Sequence, residues 1–494
     1  MALPVAGQRP HVLLVMTDQQ RAGYTSGSGF ALDTMPFCDS LASAGSLFPN
    51  AYTTAPACVP ARESLLTGRW PSAHRVTQNS NAAHAWYSKD LLQVLRSAGY
   101  RLSFTGKPHM HPGPNDFDHY AGPYFHAGGP QRDREQHHFD AWLDHLDFGV
   151  AGEPAPFPLE AQLPYRIVSD AIADLDAAAG HEGPQFLWLS FPEPHNPYQV
   201  PEPYFSMFAE EEIPERAHGP EAAQAKGGHW AWLQGLFASK RPGYDDEWRR
   251  YRANYCGMLR LLDDQVRRFV HHARAALEGD ILVIFVSDHG DYTGDFGLQR
   301  KGAGLPECLV RIPLFFSGSG VSPGQVRDEF VSIADLMPTL CELVGAPLPD
   351  GVQGRSLLPL LRGAPGPEAE FGSIYAESGF GGLMYGPTER PPLHFSYDGH
   401  TIDSLNSVTQ SGRSRMLRRG EHKIVLHSND TGELYDLAAD PGEVTNLIDD
   451  PAYATILHEL LWRLAQWMLR LQDELPRGTY TPKTSPHNWT TSPS

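Results

Sequence analysis

Val12-Leu-Leu-Val-Met16 runs without a break into Thr17-Asp18. Successive side chains of a strand point to opposite faces, so five apolar residues in a row require both faces to be covered. That pattern predicts a central strand of a parallel sheet packed between helices. Two further runs read the same way: Phe186-Leu-Trp-Leu189, ending near Ser190, and Ile281-Leu-Val-Ile-Phe-Val286, ending at Ser287-Asp288. Ligand sites in open α/β sheets gather beyond the carboxyl ends of the strands. Asp18 and Asp288 stand at that position, which makes them site candidates on topology alone.

Helical stretches lie between these strands. Residues 35–44 read as a helix closed by Gly45, and 333–344 as another. Tyr255, Met258, Leu259, Leu262, Val266 and Phe269 recur at helical spacing and define one apolar face. Residues 110–165 are rich in His, Gly, Pro and Asp with weak periodicity, and read as loops that shape a pocket. The segment Gly363-Ala-Pro-Gly-Pro367 marks a boundary. After it come short strand-like pieces: Ser373-Ile-Tyr-Ala376, residues 414–417, Lys423-Ile-Val-Leu426 and Glu433-Leu-Tyr-Asp-Leu437. An amphipathic stretch at 456–471 follows, and the tail from Arg477 is polar and Pro-rich. The organisation expected is a catalytic domain at 1–365 and a smaller α+β domain with an antiparallel sheet at 366–494.

The bulk numbers fit such a protein. The chain has 494 residues, 41% hydrophobic and 20% charged, enough apolar content for a sizeable core. Its formal net charge of −19 argues against broad nucleic-acid binding, while leaving room for one small anionic substrate. Five widely spread cysteines, Cys38, Cys58, Cys256, Cys308 and Cys341, do not make a disulfide framework. The N-terminus lacks a basic stretch followed by an apolar core, and no run of about 20 apolar residues occurs. The expectation is a cytoplasmic protein without a membrane partner.

The densest chemistry lies in Pro56-Ala-Cys58-Val-Pro60-Ala-Arg62-Glu-Ser-Leu-Leu-Thr67-Gly-Arg69. A helix read from 62 to 67 puts Cys58 at its N-terminus, where the positive end of the dipole favours oxyanions. Arg62 lies one turn on. Cys-x-Pro-x-Arg followed by Thr-Gly-Arg resembles the maturation motif of the formylglycine-dependent sulfatases. Other blocks resemble that family in the same order. They are Thr17-Asp18-Gln19, Gly106-Lys107-Pro108-His109, Pro194-His195-Asn-Pro197, Ser287-Asp288-His289-Gly290-Asp291 and Arg300-Lys301-Gly302.

The resemblance implies an alkaline-phosphatase-like three-layer sandwich with a mostly parallel central sheet. It implies that a maturation enzyme oxidises Cys58 to formylglycine, whose hydrate attacks a sulfate ester. Asp18, Gln19, Cys58, Asp288 and His289 would then hold a divalent metal. Mainly oxygen donors suit Ca²⁺, and the histidine leaves Mn²⁺, Mg²⁺ or Zn²⁺ open. Arg62, Lys107 and Lys301 would gather positive charge around the sulfate. His109 would act as base on the hydrate, and His195 would bind the ester and protonate the leaving oxygen. Asn79 and Arg69 fall near the pocket, Asn79 as a substrate contact. Asp291 and Asp295 read as braces of their loop.

Gln19 departs from the Asp-Asp pair usual in sulfatases. It resembles the related phosphonate monoester and phosphodiester hydrolases, which stay the alternative. A binding protein on the same fold is a further one. The partners implied are a small sulfated substrate and the maturation enzyme; whether the chain also forms a homo-oligomer stays open at this point. The organic half of the substrate is assigned to loops at 110–165, 195–240 and 378–412, with His111, His126, Tyr198 and Trp230 among their residues.

Overall fold

A computed structural model describes residues 9–476 and 478, except 126–133, 148, 303, 392–393, 398–399 and 404–410. His126 and the tail beyond 478 therefore lie outside the described residues.

Eight strands form the central sheet. In spatial order they are His119–Ala121, Arg101–Gly106, Gln185–Pro194, His11–Asp18, Ile281–Ser287, Leu314–Gly318, Ser46–Leu47 and Gln325–Val326. The first five run parallel, and Leu314–Gly318 runs antiparallel to both its neighbours. The strand His11–Asp18 sits at the centre, and all eight of its residues are buried.

The continuous apolar run is used as its alternation dictates. Leu13 and Val15 enter one core with the helices Pro36–Ser43, Leu163–Ala177 and Trp248–Ala276. Val12, Leu14 and Met16 enter the opposite core with Cys58–Thr67, Leu91–Ser97 and Leu336–Val344. Neighbouring strands divide likewise: Leu187, Leu189, Val283 and Phe285 face the first core, while Phe186, Trp188, Ile284 and Val286 face the second. Each such side chain contributes about 1.5–3 kcal/mol by leaving water, which makes both helical layers obligatory. The architecture is the expected three-layer α/β sandwich.

Beyond it, Ile374–Gly381, Gly412–Arg419, His422–His427 and Gly432–Asp436 form a four-stranded antiparallel sheet in that order. The helix Ala454–Arg470 covers one face of it, setting Leu460, Leu464 and Trp467 against Leu417, Ile424 and Leu434. The small sheet is tied to the large unit through Glu307. That carboxylate accepts from Arg418 Nη1 at 2.7 Å, Lys423 Nζ at 3.0 Å and Tyr52 OH at 2.7 Å.

Residues 110–165 carry more regular structure than their composition suggests. Arg134–His145 is a helix that buries Gln136, Phe139, Asp140 and Leu143, an i, i+3, i+4, i+7 stripe hidden among charged residues and histidines. The reading of 110–165 as loops is corrected at that point. No helix of the described residues is long and apolar enough to cross a membrane.

Candidate active site

Four parallel strands deliver their carboxyl ends to one place. Asp18 ends the central strand, and Asp288 follows its neighbour, with Thr17 paired to Ser287. Lys107 follows the strand whose Gly106 pairs with Ser190, and His195 follows Pro194. The fifth component comes from the helix Cys58–Thr67, every residue of which is buried. Pro60 fits its first turn, where backbone N–H groups have no helical partner. Gly68 ends it in a left-handed conformation, its N–H returning to Ser64 O at 2.9 Å.

Cys58 is the first helical residue. Its Sγ stands 3.2 Å from His289 Nε2, 3.4 Å from Lys301 Nζ and 3.5 Å from Asp18 Oδ1. Burial and Asp18 push its thiol pKa up, but Lys301, Lys107 and His289 outweigh them and hold it well below the usual range. His109 makes a side-chain hydrogen bond to the same residue. Asp18, Cys58, Asp288 and His289 each bring a ligand atom within 4.8 Å of the others. His289 Nδ1 lies 2.8 Å from Gly290 O. An N–H there donates to the carbonyl and turns the Nε2 lone pair toward the cluster. Two carboxylates, that imidazole and residue 58 fit a divalent cation.

The electrostatics without a cation show why one fits. Burial and repulsion from Asp18 raise Asp288. Burial also opposes ionisation of Asp18, yet Lys107, His195, Arg62 and His289 hold it well below the carboxylate range. Lys107 Nζ pairs with Asp18 Oδ2 at 2.6 Å. Lys301 Nζ donates to Gln19 Oε1 at 3.0 Å.

Gln19 itself is held from behind. It has φ = 69°, and its Nε2 donates to Asp291 Oδ2 at 2.7 Å and to Tyr198 OH at 3.1 Å. Tyr198 also donates to Asp291 at 2.7 Å, and Tyr251 donates to the same carboxylate. Asp291 is thus a brace for Gln19. Asp295 braces the loop by pairing with Arg21 at 2.6 Å and Arg252 at 2.7 Å.

The two histidines expected to move protons are half-buried, and their surroundings disfavour the charged form. Burial and Lys107 lower His109, with the contact to Cys58 opposing, and its Nδ1 has no hydrogen-bond partner. Burial, Lys301 and Lys107 hold His195 well below the usual imidazole range, and its Nδ1 lies 2.8 Å from Asn196 O.

Arg62 sits differently from the role implied by resemblance. Its guanidinium is fully buried between the carboxylates, with Nη2 3.1 Å from Asp18 and Nε 3.0 Å from Asp288. Nη1 donates to Ser190 Oγ at 2.7 Å and Lys107 O at 3.1 Å. It orients ligands rather than meeting solvent. Asn79 Oδ1 accepts from Val59 N at 3.1 Å, satisfying one N–H at the start of the Cys58 helix. Arg69 points away, to Asp473 and Gly351 O. Trp230 is a core residue against Phe296, and Tyr198 lies beneath Gln19. Tyr251 and Ser190 join the site's support, and nothing in the local sequence marks Tyr251 because its partner lies 40 residues away.

His111 fastens the Lys107–His109 segment to the Cys58 helix. Its Nδ1 lies 2.5 Å from Glu63 Oε2 and its Nε2 3.0 Å from Asp90 Oδ2. Burial opposes its charge, but hydrogen bonds from Asp90 and Glu63 lift its pKa to about 9. The folded pKa exceeds the unfolded value of about 6.5. Its contribution, on the order of 3 kcal/mol, is therefore complete below about pH 6.5 and lost as pH rises through about 9. Urea unfolding of His111→Gln should show a flatter decline between pH 7 and 10 than wild type. Parallel curves would contradict the clamp.

Similarity to known proteins agrees with this geometry. The family model described as Sulfatase matches residues 10–346. The chain is 29% identical to the multifunctional alkaline phosphatase superfamily protein PehA of Trinickia caryophylli, over 94% of this chain and 96% of that protein. It is 26% identical to an arylsulfatase of Clostridium perfringens, over 90% and 91% of the two. The phosphonate monoester hydrolase of Agrobacterium radiobacter superposes with a TM-score of 0.77 at 25% identity, covering 95% of this chain and 97% of that one. The matched region contains the whole parallel sheet and every residue of the cluster around Cys58, and the chain belongs to the sulfatase family of hydrolases.

Proposed function

We propose that the protein hydrolyses a sulfate monoester to an alcohol or phenol and inorganic sulfate, with residue 58 as nucleophile after a maturation enzyme oxidises Cys58 to formylglycine. The observation that carries this reading is the seat of Cys58 Sγ among Lys301, His289 and Asp18, at 3.4, 3.2 and 3.5 Å. A nucleophile there meets an anionic ester with cationic groups already in place. Asp18, Asp288, His289 and residue 58, with Gln19 Oε1 beside them, would hold a divalent cation, for which the oxygen-rich set favours Ca²⁺ over Mn²⁺, Mg²⁺ or Zn²⁺. When bound, such a cation polarises the ester and lowers the pKa of the hydroxyl that attacks.

The protein's own groups account for the remaining steps. Lys107 and Lys301 draw the sulfate oxygens in and offset their charge. One hydroxyl of the formylglycine hydrate gives up its proton and forms the new S–O bond as the bond from sulfur to the ester oxygen breaks. His195 is neutral at rest because burial and then both lysines disfavour its proton. An anion between those lysines raises its pKa, so it can take up a proton and pass it to the leaving oxygen. His109 then accepts the proton of the second hydroxyl. Its carbon–oxygen bond becomes the carbonyl, the other breaks, and sulfate leaves with the aldehyde restored.

Gln19 favours a second reading, hydrolysis of phosphonate monoesters or phosphodiesters. An amide in place of a second carboxylate gives the cation site less negative charge, and the likeness to the Agrobacterium radiobacter enzyme points the same way. Parallel turnover of an aryl sulfate and an aryl phosphonate monoester by converted protein decides between them. The proposal expects kcat/KM for the sulfate to lead by about tenfold or more, a difference of roughly 1.4 kcal/mol in transition-state binding. A phosphonate lead would transfer the assignment, and turnover of neither would favour a binding protein.

A further inference from the structure

Among the described residues, a second group of side chains has the geometry of a metal site. It consists of His229, His427 and Glu433, whose ligand atoms lie within 4.8 Å of one another. His229 is in the first turn of the helix Gly228–Lys240, while His427 and Glu433 belong to adjacent strands of the small sheet. We propose that these three residues bind a Zn²⁺ ion that clips the helix Gly228–Lys240 to the C-terminal sheet.

The distances suit that ion. His427 Nε2 is 3.2 Å and His229 Nε2 4.0 Å from Glu433 Oε1, and the two imidazole rings stand 4.8 Å apart. Tetrahedral zinc with ligands at about 2.0–2.2 Å needs neighbouring donors roughly 3.3–3.6 Å apart, which the two values bracket. Two imidazoles and one carboxylate form a borderline donor set that suits zinc.

The surroundings complete the argument. His229 Nε2 is buried and has no hydrogen-bond partner, an arrangement that costs free energy unless something accepts its lone pair. Its side chain is 14% exposed, which leaves a route in and a place for water as fourth ligand. The other two donors have supporting partners: His427 Nδ1 lies 2.7 Å from Ser414 Oγ, and Glu433 accepts from Trp230 Nε1 at 3.0 Å and Tyr435 OH at 2.8 Å. Such outer contacts fix ligand orientation in metal sites. Lys226 approaches the other carboxylate oxygen, Oε2, at 3.7 Å, where Tyr435 OH also donates, while Oε1 accepts from Trp230 Nε1 and faces the two imidazoles.

The site would act on structure. Trp230, next to His229, packs on Phe296 and Tyr292 in the loop that leads to Lys301. Holding the helix would steady that wall without touching the reacting atoms.

The test uses the full chain, stripped with a chelator and titrated with Zn²⁺ alone. Metal per chain is counted by native mass spectrometry and elemental analysis, and melting is followed in parallel. The His229→Gln, His427→Gln double variant should retain one Zn²⁺ fewer than wild type and lose the part of the Zn²⁺-dependent rise in Tm that this site supplies. The single variant His229→Gln, at a partly open position, should lose the same ion while keeping turnover of the preferred ester. Equal Zn²⁺ stoichiometry in wild type and both variants would overturn the proposal. Because the count is taken without substrate, it stands or falls independently of the ester that the catalytic centre prefers.

Discussion

Replacing Cys58 with alanine is expected to lower kcat/KM by about 10⁴-fold or more, in line with the loss of a covalent nucleophile elsewhere. The fold should survive. The helix Cys58–Thr67 is held by Leu65 and Leu66 in the core, by the Gly68 turn and by the Glu63–His111 clamp, none of which uses the sulfur. Lys107 and Lys301 remain to bind the anion, so substrate affinity should fall far less than turnover. Circular dichroism with steady-state kinetics checks both halves. A folded Cys58→Ala protein retaining a tenth of wild-type activity would place the nucleophile elsewhere.

Lys107→Met is expected to carry the next largest effect, about 10²–10³-fold in kcat/KM, the size seen when one preorganised charge or donor is removed from a transition state. The lysine is almost completely buried and its ammonium is 2.6 Å from Asp18. Burial alone would lower its pKa, yet Asp18 and Cys58 raise it, so it is charged when substrate arrives. Arg62 still neutralises Asp18 in the variant, which protects the fold. Inhibition by inorganic sulfate should weaken alongside turnover, because product and ester use the same cation. Turnover within about threefold of wild type, about the effect of one weak hydrogen bond, would remove Lys107 from the site.

How far these residues could be read from sequence depends on how local their causes are. The strands that carry Asp18 and Asp288 were legible because burial on both faces writes an unbroken apolar run. The two-residue strands Ser46–Leu47 and Gln325–Val326 leave no such trace, since their pairing depends on residues hundreds of positions away. Arg134–His145 escaped because its buried stripe is interrupted by polar side chains. The convergence of Cys58, Lys107, His109, Asp288, His289 and Lys301 followed from motif order, but their orientations did not. The spacing of Arg62 placed it one turn from Cys58; only the fold reveals that two carboxylates from separate strands claim its donors. Likewise the brace behind Gln19, built from Tyr198, Tyr251 and Asp291, joins three distant segments.

The role given to residue 58 requires its oxidation, and the mass of the peptide that contains it tests this most directly. Protein produced with a formylglycine-generating enzyme should yield that peptide about 18 Da lighter than the cysteine form, the difference between a thiol and an aldehyde. Esterase activity should rise in proportion to the lighter fraction across preparations. A fully active preparation whose Cys58 peptide retains the cysteine mass would contradict the account.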